Sequence, residues 1–203
     1  RTAGPVTLCL DGQIYQLLDG EKHGLWISYY ENGQIKTESH YKNGNKYGSS
    51  IQYNENGNIL SEFHYNDWGA HGPCIRYYEN GQIKTEDHYC HGEEHGSHIR
   101  YFPNGQPYNE VNYIRGKYHG VMKYYHGNGK LQQECYWKNG KTHGPWRMSD
   151  ETGTLENEKY YEDGKKHGVM KYYYKNGNGK LQEECYWKHG KRHGPWRIYY
   201  FSG

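Results

Sequence analysis

Aliphatic side chains are scarce in this chain of 203 residues: Leu, Ile, Val and Phe together number only 26. That is below what an ordinary packed core draws on. No run of 18 apolar residues occurs, which excludes a membrane-spanning helix. Neither sign of charge prevails. The 25 basic and 23 acidic residues leave a formal charge of +2, so the chain has neither a polyanion-binding signature nor the self-repulsion of a disordered one. Cysteines are few and odd in number, five, which argues against a disulfide framework. Cys135 and Cys185 hold equivalent places two repeats apart, too far for a bridge, so reduced thiols are expected. Arg1 to Leu10 lacks the apolar stretch of a signal peptide, and the expectation is an intracellular or virion-borne chain, not a secreted one. An opening on Arg1 instead of Met reads as a processed chain or an excerpt.

What is abundant is 25 Tyr, 6 Trp, 28 Gly and 14 His, so aromatics must supply the buried surface. The glycines are strictly periodic. Gly24, Gly48, Gly72, Gly96, Gly120, Gly144 and Gly168 each follow His or Tyr at a spacing of 24, and Gly194 comes 26 later, after an insertion around 175–179; these eight are expected to be turn glycines. A second column runs Gly33, Gly57, Gly81, Gly105, Gly129 and Gly153. A third precedes the first by four residues, at Gly20, Gly44, Gly92, Gly116, Gly140, Gly164 and Gly190, with Trp68 interrupting it. Such a period means a repeat array, expected as one elongated domain: a capping hairpin over 1–19, then about eight 24-residue repeats over 20–203, the last incomplete.

Each repeat reads as two short strands, and glycine every few residues leaves no helical stripe. Asn-Gly between aromatic and β-branched runs signals a two-residue type I′ hairpin, so Asn80-Gly81 is expected at such a turn. That turn pairs Tyr78 with Ile83, Tyr77 with Lys84 and Ile75 with Glu86. The same rule pairs Lys123 with Glu134 and Arg147 with Glu158. A four-residue loop over Asn176 to Gly179 pairs Lys171 with Glu184. Three opposite-charge pairs emerge from a register chosen on other grounds, each contributing about 0.2–1 kcal/mol. The fold expected is all-β, an elongated twisted ribbon of stacked antiparallel β-hairpins.

Bulky residues fall on one face, with Trp146, Met148, Leu155 and Tyr161 in the sixth repeat and Trp196, Ile198 and Tyr200 in the eighth. The other face holds Tyr125, Glu134 and Tyr136, and Glu recurs there at 38, 62, 86, 110, 134, 158 and 184. Ile27, Ile51, Ile75 and Ile99 stand where later repeats have Lys or Arg, so the two halves present different surfaces. Trp146, Trp196, Tyr199, Tyr200 and Phe201 are the candidate interaction residues, the last three on a C-terminal strand with an open edge.

Segments such as Tyr136-Trp137-Lys138-Asn139-Gly140-Lys141-Thr142-His143-Gly144 resemble the MORN repeat, whose hallmark is Tyr/Trp-x-x-Gly-Lys-x-His-Gly. The added Tyr-Tyr-Glu-Asn-Gly-Gln-Ile-Lys of 29–36 and 77–84 is similar to the variant form of YwqK-like bacterial proteins and of marseillevirus-type large DNA viruses. The resemblance covers about 13–203 in eight copies; Asn66-Asp67-Trp68-Gly69 and Tyr47 depart from the pattern. It implies a hairpin ribbon used for assembly, dimerisation or attachment to other proteins, membrane association in some members, an antitoxin role for YwqK-like ones, and no catalytic residues.

The His column (His23, His71, His95, His119, His143, His167, His193) suggests metal, but equivalent histidines two strands apart, roughly 9.5 Å, cannot share an ion. Cys90, His91 and His95 cluster within one turn without a second ligand pair. Recurrent Glu beside His40, His64 and His88 reads as a structural column and not as an acid–base site. Tyr with interleaved Lys and Arg suggests single-stranded nucleic acid, but each basic residue has an acidic neighbour and the formal balance is near zero. Lys138, Lys141, Lys188, Lys191 and Arg192 form a modest basic cluster for a lipid surface. The function expected is therefore a non-catalytic scaffold for protein–protein interaction, without metal or cofactor. Its setting is a large DNA virus particle, with a toxin-neutralising protein and a lipid-binding adaptor as alternatives. Partners are proteins, by strand addition at the C-terminal edge, a second copy of the chain among them. Nucleic acid is not expected, and a membrane is the lesser reading.

Overall fold

The computed structural model describes residues 4–10, 13–175 and 179–200. Among these every regular element is a β-strand, and sequential strands pair antiparallel as consecutive hairpins. The chain divides into two compact units, Arg1–Gly96 with Pro103–Gly105, and Ser97–Phe102 with Gln106–Gly203. The first opens with Val6–Leu10 paired to Gln13–Leu18, the hairpin assigned to the cap; its turn at 11–12 lies outside the described residues.

The strands Gly120–Tyr125, Leu131–Lys138, Lys141–Ser149 and Leu155–Glu162 show how a repeat is built. Two turn types alternate. Lys138 pairs with Lys141 across Asn139 (φ 51°) and Gly140 (φ 79°), a type I′ turn with both central residues left-handed. Asp19, Asn43, His91, Arg115, Asp163 and His189 take the same conformation before the third glycine column. Where Asp67-Trp68 interrupts that column neither residue is left-handed, and the odd conformation moves to Gly69 at φ 109°.

The other turn differs from the expectation. At Asn80-Gly81 only Gly81 has positive φ. Tyr78 N donates to Gln82 O at 2.8 Å and Gly81 N to Tyr78 O at 2.9 Å. This is a three-residue loop, a type I turn closed by a left-handed glycine. Ile83 therefore faces Tyr77, not Tyr78, and Tyr77 does not face Lys84. The register then shifts between Ile83 and Thr85, so Lys84 is an extra residue, and Ile75 faces Glu86. The longer loop and the bulge cancel. The strand centres accordingly pair Lys123 with Glu134, Arg147 with Glu158 and Lys171 with Glu184. The loop residues 176–178 lie outside the described residues.

A second correction concerns the first glycine column. These residues do not make hairpin turns. Cys135 faces Trp146 and Trp137 faces Thr142, so His143, Gly144 and Pro145 together oppose Tyr136. The glycine sits inside a bulged strand at φ 87°, and a Cβ there would meet Tyr136 Cβ at 3.5 Å. Gly24, Gly48, Gly72, Gly96, Gly120, Gly168 and Gly194 share the left-handed conformation. A bulge of this kind turns one carbonyl out of its ladder. That carbonyl, just before the bulge His, accepts from the turn glycine of the next repeat: Gly44 N to Lys22 O (3.0 Å), Gly140 N to Tyr118 O (2.9 Å), Gly164 N to Thr142 O (2.8 Å) and Gly190 N to Lys166 O (2.8 Å). On the opposite edge, Asn32 and Asn128 Nδ2 donate to Glu55 O and Glu151 O, both at 2.8 Å.

The buried face is the one bearing Trp146. In the second unit Val111, Tyr113, Met122 and Cys135 form a cluster against which Tyr118, Tyr124, Trp137 and Trp146 pack. Met170 and Cys185 continue as buried cross-strand partners. Trp137 and Trp187 donate Nε1–H to the sulfurs of Cys135 and Cys185, at 3.3 and 3.2 Å. The first unit fills the same column with a mixture, polar groups alternating with Trp26, Phe63 and the buried Cys74. Ser39 and Ser50 hydrogen-bond at 2.8 Å, and the buried Asp87 carboxylate is paired with Arg76.

Trp146→Ala should cost about 3 kcal/mol, because Trp146 covers the Cys135 cluster, whereas Glu158→Ala on the exposed face should cost about 1 kcal/mol. Gly144→Ala should cost about 1–2 kcal/mol through its left-handed backbone alone. Denaturant melts that rank Glu158→Ala above Trp146→Ala would reverse the assignment of faces.

Candidate functional site

Opposite the buried face, the Glu column is served by tyrosines fifteen residues later, in the next repeat. Tyr53 donates to Glu38 (2.9 Å), Tyr77 to Glu62 (2.7 Å), Tyr125 to Glu110 (3.1 Å) and Tyr173 to Glu158 (3.0 Å). Burial, and after it the bond to the carboxylate, pushes Tyr77, Tyr125 and Tyr173 up to about 12. Burial also raises Glu158, but hydrogen bonds from Arg147 and Tyr173 outweigh it and hold the carboxyl below its usual range. Of the three charge pairs read from the register, Arg147–Glu158 closes as an ion pair at 3.0 Å. Lys123 and Lys171 face Glu134 and Glu184 without closing one among the described residues. Glu134 lies 3.9 Å from Arg147, and Glu184 receives Arg197 at 2.8 Å from the following strand. His40 turns to Ser49 and Glu38 to Tyr53, so the two do not act on each other.

The last strand, Lys191–Ile198, pairs only with Leu181–Lys188 among the described residues and is exposed throughout. Trp196 is 53% exposed, Ile198 49% and Tyr200 90%. Trp146, at the equivalent place, has Tyr161 of the next repeat 5.6 Å from its ring. Trp196 instead has Arg192 at 4.3 Å over its ring and donates Nε1–H to Glu183 at 2.9 Å. Tyr199 is tied to the preceding repeat through its backbone, N to Gln182 O at 2.9 Å, with Tyr174 OH on its carbonyl at 2.5 Å. Phe201 lies outside the described residues.

A basic edge is longer than the sequence suggested. Lys117, Lys141, Lys165 and Lys191 each follow a type I′ turn of the second unit, where the first unit has Glu21, Asn45, Gly69 and Glu93. The lysine stems lie over successive turns: Lys117, Lys141 and Lys165 Cβ are 3.7–4.0 Å from where a Cβ on Gly140, Gly164 or Gly190 would stand. The signal was the residue after each third-column glycine.

Histidines that are not equivalent do meet. The bulge His of one repeat lies beside the turn residue of the next, which brings together His71, Cys90 and His91 in one unit and Glu162, His167 and His189 in the other. All five cysteines are free, with Cys74, Cys135 and Cys185 buried. Burial pushes the Cys74 thiol up to about 11, so it is an inert thiol at neutral pH.

The MORN repeat variant model matches seven consecutive segments, at residues 22–43, 46–67, 70–91, 94–115, 118–139, 142–163 and 166–189. The chain belongs to the MORN repeat variant family. These are interaction repeats for proteins or lipids, and the family is as a rule non-enzymatic. The matched segments run from one bulge to the next two-residue turn, type I′ in all but the one at Asp67-Trp68, and the glycine period that counts eight copies includes the strand Lys191–Ile198 beyond the seventh. No curated protein matches the chain in sequence. Among solved structures, a porin-like protein from Bacteroides uniformis aligns over 96% of this chain and 95% of its own, at 8% identity and a TM-score of 0.23, too low to relate the two folds.

A spectrophotometric titration should resolve a class of tyrosines ionising near 12, above the ordinary tyrosine value of about 10. Their folded pKa lies above the unfolded one, so their stabilisation is complete below pH about 10 and is lost as pH rises toward 12. Glu110→Gln should return Tyr125 toward the ordinary value. A single transition near 10 in the native protein would contradict the ladder.

Proposed function

We propose that the chain is a non-catalytic scaffold that binds proteins, by accepting an extended segment of a partner as an antiparallel strand along Lys191–Ile198. One observation carries this reading. Trp146 is covered by the hairpin that follows it, whereas Trp196 and Ile198, on a strand paired on one side among the described residues, and Tyr200 just beyond it stand exposed. An added strand would supply the ladder hydrogen bonds, and its side chains would cover Trp196 as Tyr161 covers Trp146. Trp and Tyr lose few rotamers on binding, which suits them as anchors. The setting proposed is assembly of a large DNA virus particle, with toxin neutralisation in a bacterium as the alternative, and the partner's identity decides between them.

The lysine edge of the second unit favours a second reading, attachment to an anionic lipid surface. Successive repeats space these ammonium groups by two strands, roughly 9.5 Å, against a Debye length of about 8 Å at physiological salt. Binding through them should fail at high ionic strength, while burial of aromatic area should not.

Capture of the native protein with its bound material, at low and high salt, separates the two. A stoichiometric protein is expected to survive high salt, to be lost with Trp196→Ser combined with Tyr200→Ser, and to be kept with Lys141→Glu combined with Lys165→Glu. Lipid recovered at low salt alone, and lost with the lysine pair, would replace the first reading by the second.

A further inference from the structure

The equivalent histidines are too far apart to share an ion, but the fold brings a different pair together. Gly190 N donates to Lys166 O at 2.8 Å, clamping the turn of one repeat onto the bulge of the repeat before it. His189, left-handed at φ 50° in that turn, is thereby set against His167 in the bulge, whose own N donates to Tyr160 O at 2.8 Å. The two rings are 5.1 Å apart and inclined at 62°. Glu162 reaches the same point: its Oε2 lies 3.1 Å from His167 Nδ1 and 3.8 Å from His189 Nδ1.

The junction four repeats earlier has the same construction. Gly92 N donates to Ala70 O at 2.9 Å, and His71 N to His64 O at 2.8 Å. His91, at φ 53°, is set 5.6 Å from the His71 ring. Here the third group is Cys90, whose Sγ is 3.8 Å from His91 Nδ1. In both sets the three candidate ligand atoms lie within 4.8 Å of one another.

We propose that each of these two junctions binds one zinc ion, through Glu162, His167 and His189 in one and His71, Cys90 and His91 in the other. Tetrahedral zinc, with bonds of about 2.0–2.3 Å, holds its ligand atoms about 3.3–3.6 Å apart, and the separations of 3.1, 3.8 and 3.8 Å bracket that spacing. An ion pair joins the first set only where its histidines are protonated. His167 Nδ1 is buried and makes no hydrogen bond although a carboxylate oxygen is 3.1 Å away, so the ring N–H does not aim at the oxygen. Two imidazoles beside a thiol, as at His71, His91 and Cys90, offer no opposite charges to pair at all. Zinc would bind the imidazoles neutral and Cys90 as thiolate, releasing its proton, and three protein ligands leave the fourth position to water. The backbone clamps form without the ion, so little ordering is left for binding to accomplish. A bulge His alone is not enough. His23 and His119 are followed one repeat later by Asn43 and Asn139 at the turn, which supply no second imidazole, and the Nδ1 atoms of His23, His119 and His143 are buried without a hydrogen bond just as that of His167 is.

The full chain, stripped with chelator, should be titrated with zinc alone in competition with a chromophoric chelator. The wild type should bind two equivalents, His189→Asn one, His91→Asn one, and the double variant none. Asn suits the left-handed turn position, as Asn43 and Asn139 show, so circular dichroism should be unchanged. Zinc should raise the melting temperature of the wild type and leave that of the double variant where it was. A junction whose variant leaves the zinc stoichiometry unchanged is not a site, and a wild type that binds no zinc overturns both.

Discussion

A glycine held at φ between 69° and 89° in the middle of a strand is the constraint on which the repeat depends. With the left-handed residue in place, three residues oppose one, and the carbonyl before the bulge His leaves its own ladder to face the next repeat. The turn glycine one repeat on supplies the donor. A β-branched residue at the glycine would restore a straight strand and withdraw that carbonyl, so the contact between successive repeats is encoded in a backbone conformation before any side chain is chosen.

With the backbone joined in this way, side chains are free to differ between the halves. The first unit places Ile27, Ile51 and Ile75 opposite the glutamates, and in its inner column serines and an Arg76–Asp87 pair alternate with Trp26, Phe63 and Cys74. The second has Met, Cys and Trp inside, beside the buried His98 and Asn109, and Arg147 and Arg197 on the Glu face. That is how a chain so poor in aliphatic residues covers its strands, with tyrosine hydroxyls reaching the carboxylates that Ile alone would leave unpartnered.

Most of the fold was legible because glycine positions and Asn-Gly pairs are punctuation that side-chain chemistry cannot imitate. Ile75 opposite Glu86 followed even from the wrong turn type, since the extra loop residue is cancelled by the bulge at Lys84. The function of the first glycine column was not legible, because a left-handed glycine looks the same in a turn and in a bulge. The Glu–Tyr ladder shows as Glu and Tyr fifteen residues apart, a spacing that means nothing until the repeats are stacked. The histidine junctions were missed for a related reason. Comparing equivalent positions rules out a shared ion, whereas His71 and His91 are related by the offset between bulge and turn, not by the repeat.

The Asn-Gly turns have a consequence for the lifetime of the molecule. Asn-Gly is the dipeptide most easily lost to deamidation, in which the glycine nitrogen attacks the side-chain amide and ammonia departs. Here Gly33 N is bound to Tyr30 O and Gly129 N to His126 O, while Asn32 and Asn128 Nδ2 are held by carbonyls of the following repeat. Both the attacking nitrogen and the departing amide are engaged, so chemical ageing at these turns is restrained by stacking itself. It would set in first wherever a neighbouring repeat has come away.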